Sequence, residues 1–223
     1  MTTLEGNTMN WWQIDALIMF SYGFIHSCLT TRPAMKFYEV FFPEWSWNIG
    51  MCVFSAATLA LGIIYWQPSG HYIYVLIPGS PLFHFAALSM VTLLGLTIYC
   101  FRYTSTFWQW LGAHQLIAKL RDQKTPVPYR MNVQGIKRYV RFPHHTFLML
   151  FFWAHPIMTY DTLLFSIGTT IYMYLGTWHM DKRLEFIFGS EWRSYKKVTG
   201  LMLPSPKAWS RLFADLRQPR NAL

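Results

Sequence analysis

Charged residues are scarce in this sequence. Asp, Glu, Lys and Arg make up 13% of its 223 residues, about half the share that soluble domains carry. Residues 45–101 contain none of these four types. A water-soluble fold would need charges on the surface that this stretch forms, whereas helices facing lipid would not. The absence argues against a soluble protein and favours one that lies within a bilayer.

Cysteine is also rare, and metal-site motifs are missing. The three cysteines, Cys28, Cys52 and Cys100, have a spacing that fits neither a zinc site nor a disulfide framework. We interpret them as small apolar residues and predict no metal site. The net charge of +9 is not accompanied by any nucleic-acid-binding motif. We therefore predict no nucleic-acid partner.

Long apolar runs are abundant. A helix needs roughly 17–25 predominantly apolar residues to span a bilayer, and five segments reach that length. We predict an all-α integral membrane protein with about five transmembrane helices. Only Tyr160 and Asp161 separate the last two spans, which predicts a helical hairpin. The predicted spans are residues 11–29, 49–66, 82–101, 142–159 and 162–179.

The basic residues predict an orientation. All 19 Lys and Arg residues fall on one side of the five-span arrangement, in the loops after the first and third spans and in the segment after the fifth. Basic loops stay in the cytoplasm. The N-terminus is therefore predicted outside and the C-terminal segment inside an inner or cell membrane, with membrane lipid as a partner.

The segments outside the spans also have helical character. Residues 103–121 continue the third span as an aromatic-rich helix, and the Thr-Pro-Val-Pro stretch at residues 125–128 stops it. Residues 180–197 place apolar side chains at helical spacing among charged ones, which predicts an amphipathic cytoplasmic helix. We predict one membrane domain over residues 1–205 and a flexible cytoplasmic tail over residues 206–223.

Candidate binding residues lie at the two cytoplasmic ends of the predicted hairpin. Pro143 suits a first helical turn, whose free N–H groups attract anions, and Arg141 adds a guanidinium fork that fits a carboxylate. Asp181 and Glu185 lie four residues apart on one helical face and fit an amine or ribose hydroxyls. A hairpin returns to its starting side, so both ends meet there. Arg141 as an interfacial anchor stays open as an alternative, as does pairing of the two acidic residues with Lys182, Arg183 or Arg141.

Histidines add possible chemistry. His144 and His145 follow Pro143 and join the same cytoplasmic cluster. Polar residues at membrane depth are costly and are functional candidates, although any single one more often makes a contact between helices or lies at the interface. The residues of this kind are Asp15, His26, His84, His155 and His179.

Several of these residues form a recognisable motif. It comprises Arg141-Phe142-Pro143, Met180-Asp181, Phe188-Gly189 with Trp192 and Tyr195, and Leu201 to Pro204. With it, the chain resembles membrane methyltransferases of the isoprenylcysteine carboxyl methyltransferase type, most closely their thiol-methylating branch. The likeness extends over residues 20–205 and includes His26-Ser27, Arg32-Pro33, Lys36, Trp66-Gln67-Pro68, Pro126, Pro128, Gly135 and Tyr139.

The resemblance implies a methyltransferase that binds S-adenosylmethionine at the cytoplasmic end of the hairpin. Its acceptor would be a small thiol such as methanethiol, and its product a thioether, dimethyl sulfide in that case. Arg141 would hold the donor's carboxylate, and Asp181 its amine or ribose. A thiol attacks as its thiolate, so His26 or His145 would accept the proton. The other residues expected at the cofactor are Tyr139, Pro143, His144, Glu185 and Tyr195.

Two positions depart from the family pattern. Phe142 stands where the motif has a histidine, and Met180 where it has the first of two glutamates. His144 and His145 would replace the missing histidine, with Asp181 serving alone.

Two alternatives to an active methyltransferase stay open. One is a catalytically silent protein of the same fold, such as an accessory subunit of a larger membrane complex. The other is a haem-binding relative whose axial ligands come from His26, His155 and His179.

Overall fold

A computed structural model describes residues 10–101, 108, 111–123 and 131–217. These residues form two compact units. The first comprises residues 10–83, 108, 111–123 and 156–170, and the second comprises residues 84–101, 131–155 and 171–217. The helix end predicted at residues 125–128 lies outside the described residues. Apart from Trp108, the first half of the helix predicted over residues 103–121 lies outside them as well.

Helices make up most of both units. The first unit contains both helices and strands. In chain order they are α1 (Trp11–Leu29), α2 (Arg32–Glu39), the 3-10 turn Glu44–Ser46, α3 (Trp47–Tyr65), β1 (Tyr72–Val75), α5 (Ala113–Leu120) and β2 (Ile157–Thr159). Two longer helices contribute residues to both units, α4 (Pro81–Phe101) and α7 (Tyr160–Phe188). The second unit also contains the 3-10 turn Gly135–Arg138, α6 (Pro143–Trp153), α8 (Ser190–Lys196) and α9 (Pro206–Arg217).

Two helices in the described part of the chain are long and apolar enough to cross a membrane. They are Glu44–Tyr65, with a mean hydropathy of 1.7, and Pro81–Phe101, with 1.8. Their most apolar stretches are 0% and 6% buried, so their side chains require a cover of lipid or protein. The first predicted span matches α1 at both ends. The five-span topology stays a prediction.

The fourth predicted span is wrong in length. α6 has 11 residues and is about 16 Å long, short of the ~30 Å of a bilayer core. Pro156 explains the early end, because it lacks an N–H and disfavours a helical residue before it. Its carbonyl instead accepts the Leu76 N–H at 3.0 Å. The expected turn at residues 160–161 is the start of α7.

The all-α prediction is wrong in one detail, because the first unit contains a small sheet. β1 and β2 pair antiparallel, with Tyr72 opposite Thr159 and Val75 opposite Ile157. β1 is rich in β-branched and aromatic residues, as strands usually are. Two strands alone are marginal in water, so this sheet depends on the packing of the rest of its unit.

The cytoplasmic helix predicted over residues 180–197 is two helices. α7 ends at Phe188, Gly189 has a φ of 57°, and α8 begins at Ser190. Glycine adopts a positive φ at little cost, so the break falls at this residue.

A further helix lies in the segment predicted to be flexible. Ser205 precedes Pro206, and its Oγ accepts the Ala208 N–H at 3.2 Å. A serine cap followed by a proline in the first turn is a sequence signal for the start of this helix. The flexibility of the end of the chain and the domain boundary at residue 205 stay predictions.

Two buried aspartates in the first unit hold the turn that follows α3. The Asp15 carboxylate, 0% exposed, accepts the Gln67 N–H at 2.8 Å. The Asp161 carboxylate accepts the Ser69 N–H at 3.1 Å, the Ser69 hydroxyl at 2.5 Å and the Trp66 indole N–H at 3.5 Å. These contacts fasten the turn to the starts of α1 and α7.

The Asp161→Ala protein is expected to lose about 1–3 kcal/mol of unfolding free energy, because the three partly buried donors of Ser69 and Trp66 then lose this acceptor. Asp161→Asn, which keeps one acceptor oxygen, should lose less. Denaturant titration of the purified protein in mild detergent measures both values. Equal losses in the two variants would contradict this account.

Candidate functional site

The backbone around Arg141 is fixed by a short extended pairing in the second unit. The N–H groups of Arg141 and Phe142 donate to the carbonyls of Gly200 and Leu201, both at 3.0 Å. A side chain at Gly200 would collide with the Leu203 carbonyl, so this close approach requires glycine. The pairing fixes the position of the Arg141 backbone and hence the direction of its side chain.

Arg141 and Asp181 form a buried ion pair. The Arg141 Nε lies 2.8 Å from Asp181 Oδ1, and the two residues are 7% and 4% exposed. Arg141 Nη1 also donates to the carbonyl of Thr199 at 2.9 Å and to its Oγ1 at 3.3 Å. The structure thus brings together the two ends that the hairpin geometry predicts to meet.

Asp181 binds two further donors. Its Oδ1 accepts the Trp192 indole N–H at 3.0 Å, and its Oδ2 lies 2.8 Å from Lys196 Nζ. Lys196 is also 2.8 Å from Glu185 Oε2, and this contact holds the pKa of Glu185 below its usual range. Arg141 and Asp181 bind each other, as one alternative allowed, rather than flanking a space between them. Their role at a cofactor stays a prediction.

The geometry of His145 identifies its tautomer. Its Nδ1 lies 2.7 Å from Thr177 Oγ1, and the same hydroxyl lies 2.5 Å from the Met173 carbonyl. A hydroxyl has one proton, and a carbonyl can only accept. Thr177 therefore donates to Met173 and accepts from His145, so Nδ1 of His145 carries the hydrogen. The lone pair is on Nε2, which suits a proton acceptor.

His144 has a buried polar atom that is not satisfied. Its ring centroid is 4.2 Å from that of His145, and its Nδ1 has no hydrogen-bond partner within the described chain. Such atoms are rare in folded proteins and indicate an unseen water, ligand or functional role. Pro143, which begins α6, is buried beside this pair.

His26, the second predicted proton acceptor, belongs to the first unit. Its Nδ1 lies 3.0 Å from the hydroxyl of Ser55. Its proposed role stays a prediction.

The two predicted cofactor tyrosines make structural hydrogen bonds. The Tyr139 hydroxyl donates to Asp215 on α9 at 2.5 Å, which raises the pKa of Tyr139. The Tyr195 hydroxyl donates to the Lys137 carbonyl, and burial raises the pKa of Tyr195. Burial also lowers the pKa of the Lys137 amine to about 8. Both phenols therefore stay protonated at neutral pH.

The departures from the family motif have distinct environments. Phe142 is 5% exposed and forms a core cluster with Trp192 and Tyr195. Its ring also stacks on His145, with centroids 5.8 Å apart and planes 8° apart. Met180 is 38% exposed. At the histidine position of the motif, this chain therefore has a packing residue.

Three site residues were not predicted from the sequence. Thr177 lies four positions before Asp181, on the same face of α7, so helical spacing could have identified it. Thr199 and Lys196 had no comparable signal, because they reach Asp181 and Arg141 only through the folding back of the chain after Gly189.

A groove of about 480 Å³ opens in the second unit, a size within the range of small-molecule sites. Of the predicted cofactor residues in the described chain, Tyr195 alone borders it. The lining residues are Val133, Gln134, Gly135, Arg138, Tyr195, Val198 and Arg211.

Comparison with known proteins finds similarity in sequence only. No protein-family model matches the chain, and no solved structure matches it. A methanethiol S-methyltransferase of Pseudomonas deceptionensis is 37% identical over 94 residues, 42% of this chain and 36% of that protein. Methanethiol S-methyltransferase 1 of Bradyrhizobium diazoefficiens is 34% identical over 106 residues, 46% of this chain and 37% of that protein.

A longer match has lower identity. A methanethiol S-methyltransferase of Crocosphaera subtropica is 24% identical over 194 residues, 86% of this chain and 74% of that protein. The chain matches little more than a third of the length of the first two relatives. The names of the relatives agree with the family likeness carried by the motif around Arg141.

Proposed function

We propose that this protein is an S-adenosylmethionine-dependent methyltransferase of the same family as these relatives, and that its acceptor is a small thiol such as methanethiol. The similarity to methanethiol S-methyltransferases of several bacteria is the observation that carries the proposal. The buried cluster around Arg141 and the histidine pair supply a chemically suitable site in the second unit.

The donor set of this cluster fits S-adenosylmethionine. The cofactor carries a carboxylate, an amine and ribose hydroxyls. Arg141 and Lys196 would exchange part of their present pairing with Asp181 and Glu185 for the cofactor's carboxylate, and the two acidic residues would then accept from its amine or hydroxyls. The unsatisfied Nδ1 of His144 is a further polar atom for a ligand to satisfy. When bound, the cofactor supplies a methyl group on a positively charged sulfur.

His145 provides the proton chemistry in this proposal. A neutral thiol is a weak nucleophile and must lose its proton to attack. The S–H proton would move to Nε2 of His145, and the thiolate sulfur would bond to the methyl carbon as the bond from that carbon to the cofactor's sulfur breaks. The demethylated cofactor would then leave as a neutral thioether. Thr177 holds Nδ1, so Nε2 is the nitrogen that accepts.

A membrane location is part of the proposal. The two apolar helices with exposed side chains support it, and the one-sided distribution of Lys and Arg supports an inside C-terminus. The hairpin ends with Arg141 and Asp181 then lie at the cytoplasmic face, where the soluble cofactor is available. The small thiol would reach them from the membrane or the cytoplasm.

The test is methyl transfer by the purified protein in lipid nanodiscs. With S-adenosylmethionine and methanethiol, headspace analysis should detect dimethyl sulfide, and the cofactor alone should raise the melting temperature by mass action. The Lys119→Ala variant, at an exposed position on α5 in the first unit, serves as the control and should retain activity.

Two other outcomes would contradict the proposal, and each would support one of the alternatives. Absence of both product and thermal stabilisation would support a catalytically silent membrane protein or subunit. A haem absorption band in the purified protein would support the haem-binding alternative.

A further inference from the structure

α9 has one face that packs on the second unit. Ala208 is fully buried. Asp215, two turns later on the same face, accepts the Tyr139 hydroxyl at 2.5 Å and lies 3.2 Å from Arg138 Nη2. These contacts hold the helix against the segment that leads to Arg141.

A second face of α9 exposes an apolar stripe. Trp209, Phe213 and Leu216, spaced by four and three residues, are 44%, 54% and 72% exposed. The rings of Trp209 and Phe213 stack with centroids 5.7 Å apart. Three neighbouring large apolar side chains form an exposed patch, and such a patch usually marks a surface that binds a lipid or protein partner.

The rest of the exposed surface of α9 carries basic and small residues. Lys207, Ser210 and Arg217 are exposed there, and Asp215, the one acidic residue of the helix, is paired within the protein. A stripe of apolar residues with a tryptophan, beside cationic side chains, is the pattern of helices that lie in a membrane interface. Charge complementarity identifies anionic lipid headgroups as the partner for Lys207 and Arg217.

We propose that α9 is an interfacial membrane-binding helix. Its stripe of Trp209, Phe213 and Leu216 inserts about 5–10 Å into the headgroup and acyl boundary of the inner leaflet, with the helix axis parallel to the membrane. This location anchors, through Tyr139 and Asp215, the chain that carries Arg141. The inference concerns a lipid-binding surface and does not depend on methyl transfer.

Spin labels on α9 in the full-length protein test this inference. The native cysteines are replaced by alanine, and a nitroxide is attached at one new cysteine in each of four variants: Phe213→Cys and Leu216→Cys on the stripe, and Ser210→Cys and Ala214→Cys on the exposed polar face as matched controls. The protein is reconstituted alone into vesicles of phosphatidylcholine with or without anionic lipid. Relaxation by oxygen and by a water-soluble nickel complex gives the depth of each label.

The expected result is a several-fold higher oxygen-to-nickel ratio at positions 213 and 216 than at 210 and 214, rising with anionic lipid. Equal ratios at all four positions would show that the stripe is in water and would overturn the proposal. Labels at 213 and 216 shielded from both reagents would indicate a second protein copy on the stripe and would also overturn it. Because no turnover is measured, an inactive protein can still give either result.

Discussion

Replacing Asp181 by alanine is expected to lower the free energy of unfolding by about 3–5 kcal/mol. The carboxylate accepts from Arg141 and Trp192 and pairs with Lys196. Without it, a guanidinium that is 7% exposed keeps its charge but loses its counter-ion. Removing one partner of a buried pair is costly for this reason, whereas the net contribution of the intact pair is much smaller.

Asp215 offers a closely matched control. It also pairs with an arginine, Arg138, and accepts from an aromatic side chain, Tyr139. The Arg138 and Asp215 side chains are, however, 47% and 36% exposed, so water replaces the lost partner. Asp215→Ala should therefore cost about 1 kcal/mol or less.

Unfolding can be followed at Cys100, which is 1% exposed. A thiol-reactive dye reports its exposure during denaturant titration in mild detergent, in a background with Cys28→Ser and Cys52→Ser. Equal losses for Asp181→Ala and Asp215→Ala would show that burial of the first pair has no energetic consequence, contrary to our expectation.

The second large effect concerns His145. His145→Gln should lower the rate of thiol methylation at neutral pH by about 10²–10⁴-fold, the usual contribution of a general base. The deficit should shrink as the pH rises towards the pKa of the thiol substrate itself, because the thiol then ionises without help. Initial rates across the neutral and alkaline range, with saturating cofactor, measure both the loss and its recovery.

Variants of Thr177 test, in the same experiment, whether the orientation of His145 contributes to the rate. Thr177→Val removes the hydroxyl that holds Nδ1 of His145 and should lower the rate, whereas Thr177→Ser keeps it and should restore most of the activity. A rate that is unaffected by His145→Gln, or a loss that is independent of pH, would exclude this histidine as the base. Methyl transfer itself would then need another proton acceptor.

The sequence predicts the helices well where their apolar pattern is continuous. α1 has the expected bounds, and α3 and α4 differ from the expected spans by one or two residues. It also predicts that Arg141 and Asp181 meet, because a hairpin returns to its starting side. It does not predict the short α6, because Pro156 lies inside a run that hydropathy alone treats as uniform.

Other site features depend on contacts between residues distant in the sequence. Arg141 reaches Thr199 across 58 residues, and the chain can return there because Gly189 breaks the helix. Periodicity cannot report such a contact, since it describes only which side of one helix a residue occupies. The tautomer of His145 likewise follows from the contact between its Nδ1 on α6 and the Thr177 hydroxyl on α7.

The sequence by itself determined the apolar helices and the motif that carries the family resemblance, because these depend on local composition and spacing. Only the tertiary structure decided that Arg141 and Asp181 neutralise each other, that Phe142 is a core residue and that α9 presents an apolar stripe. Each of these depends on which surfaces are removed from water when distant segments pack together, and burial of that kind is a property of the fold as a whole.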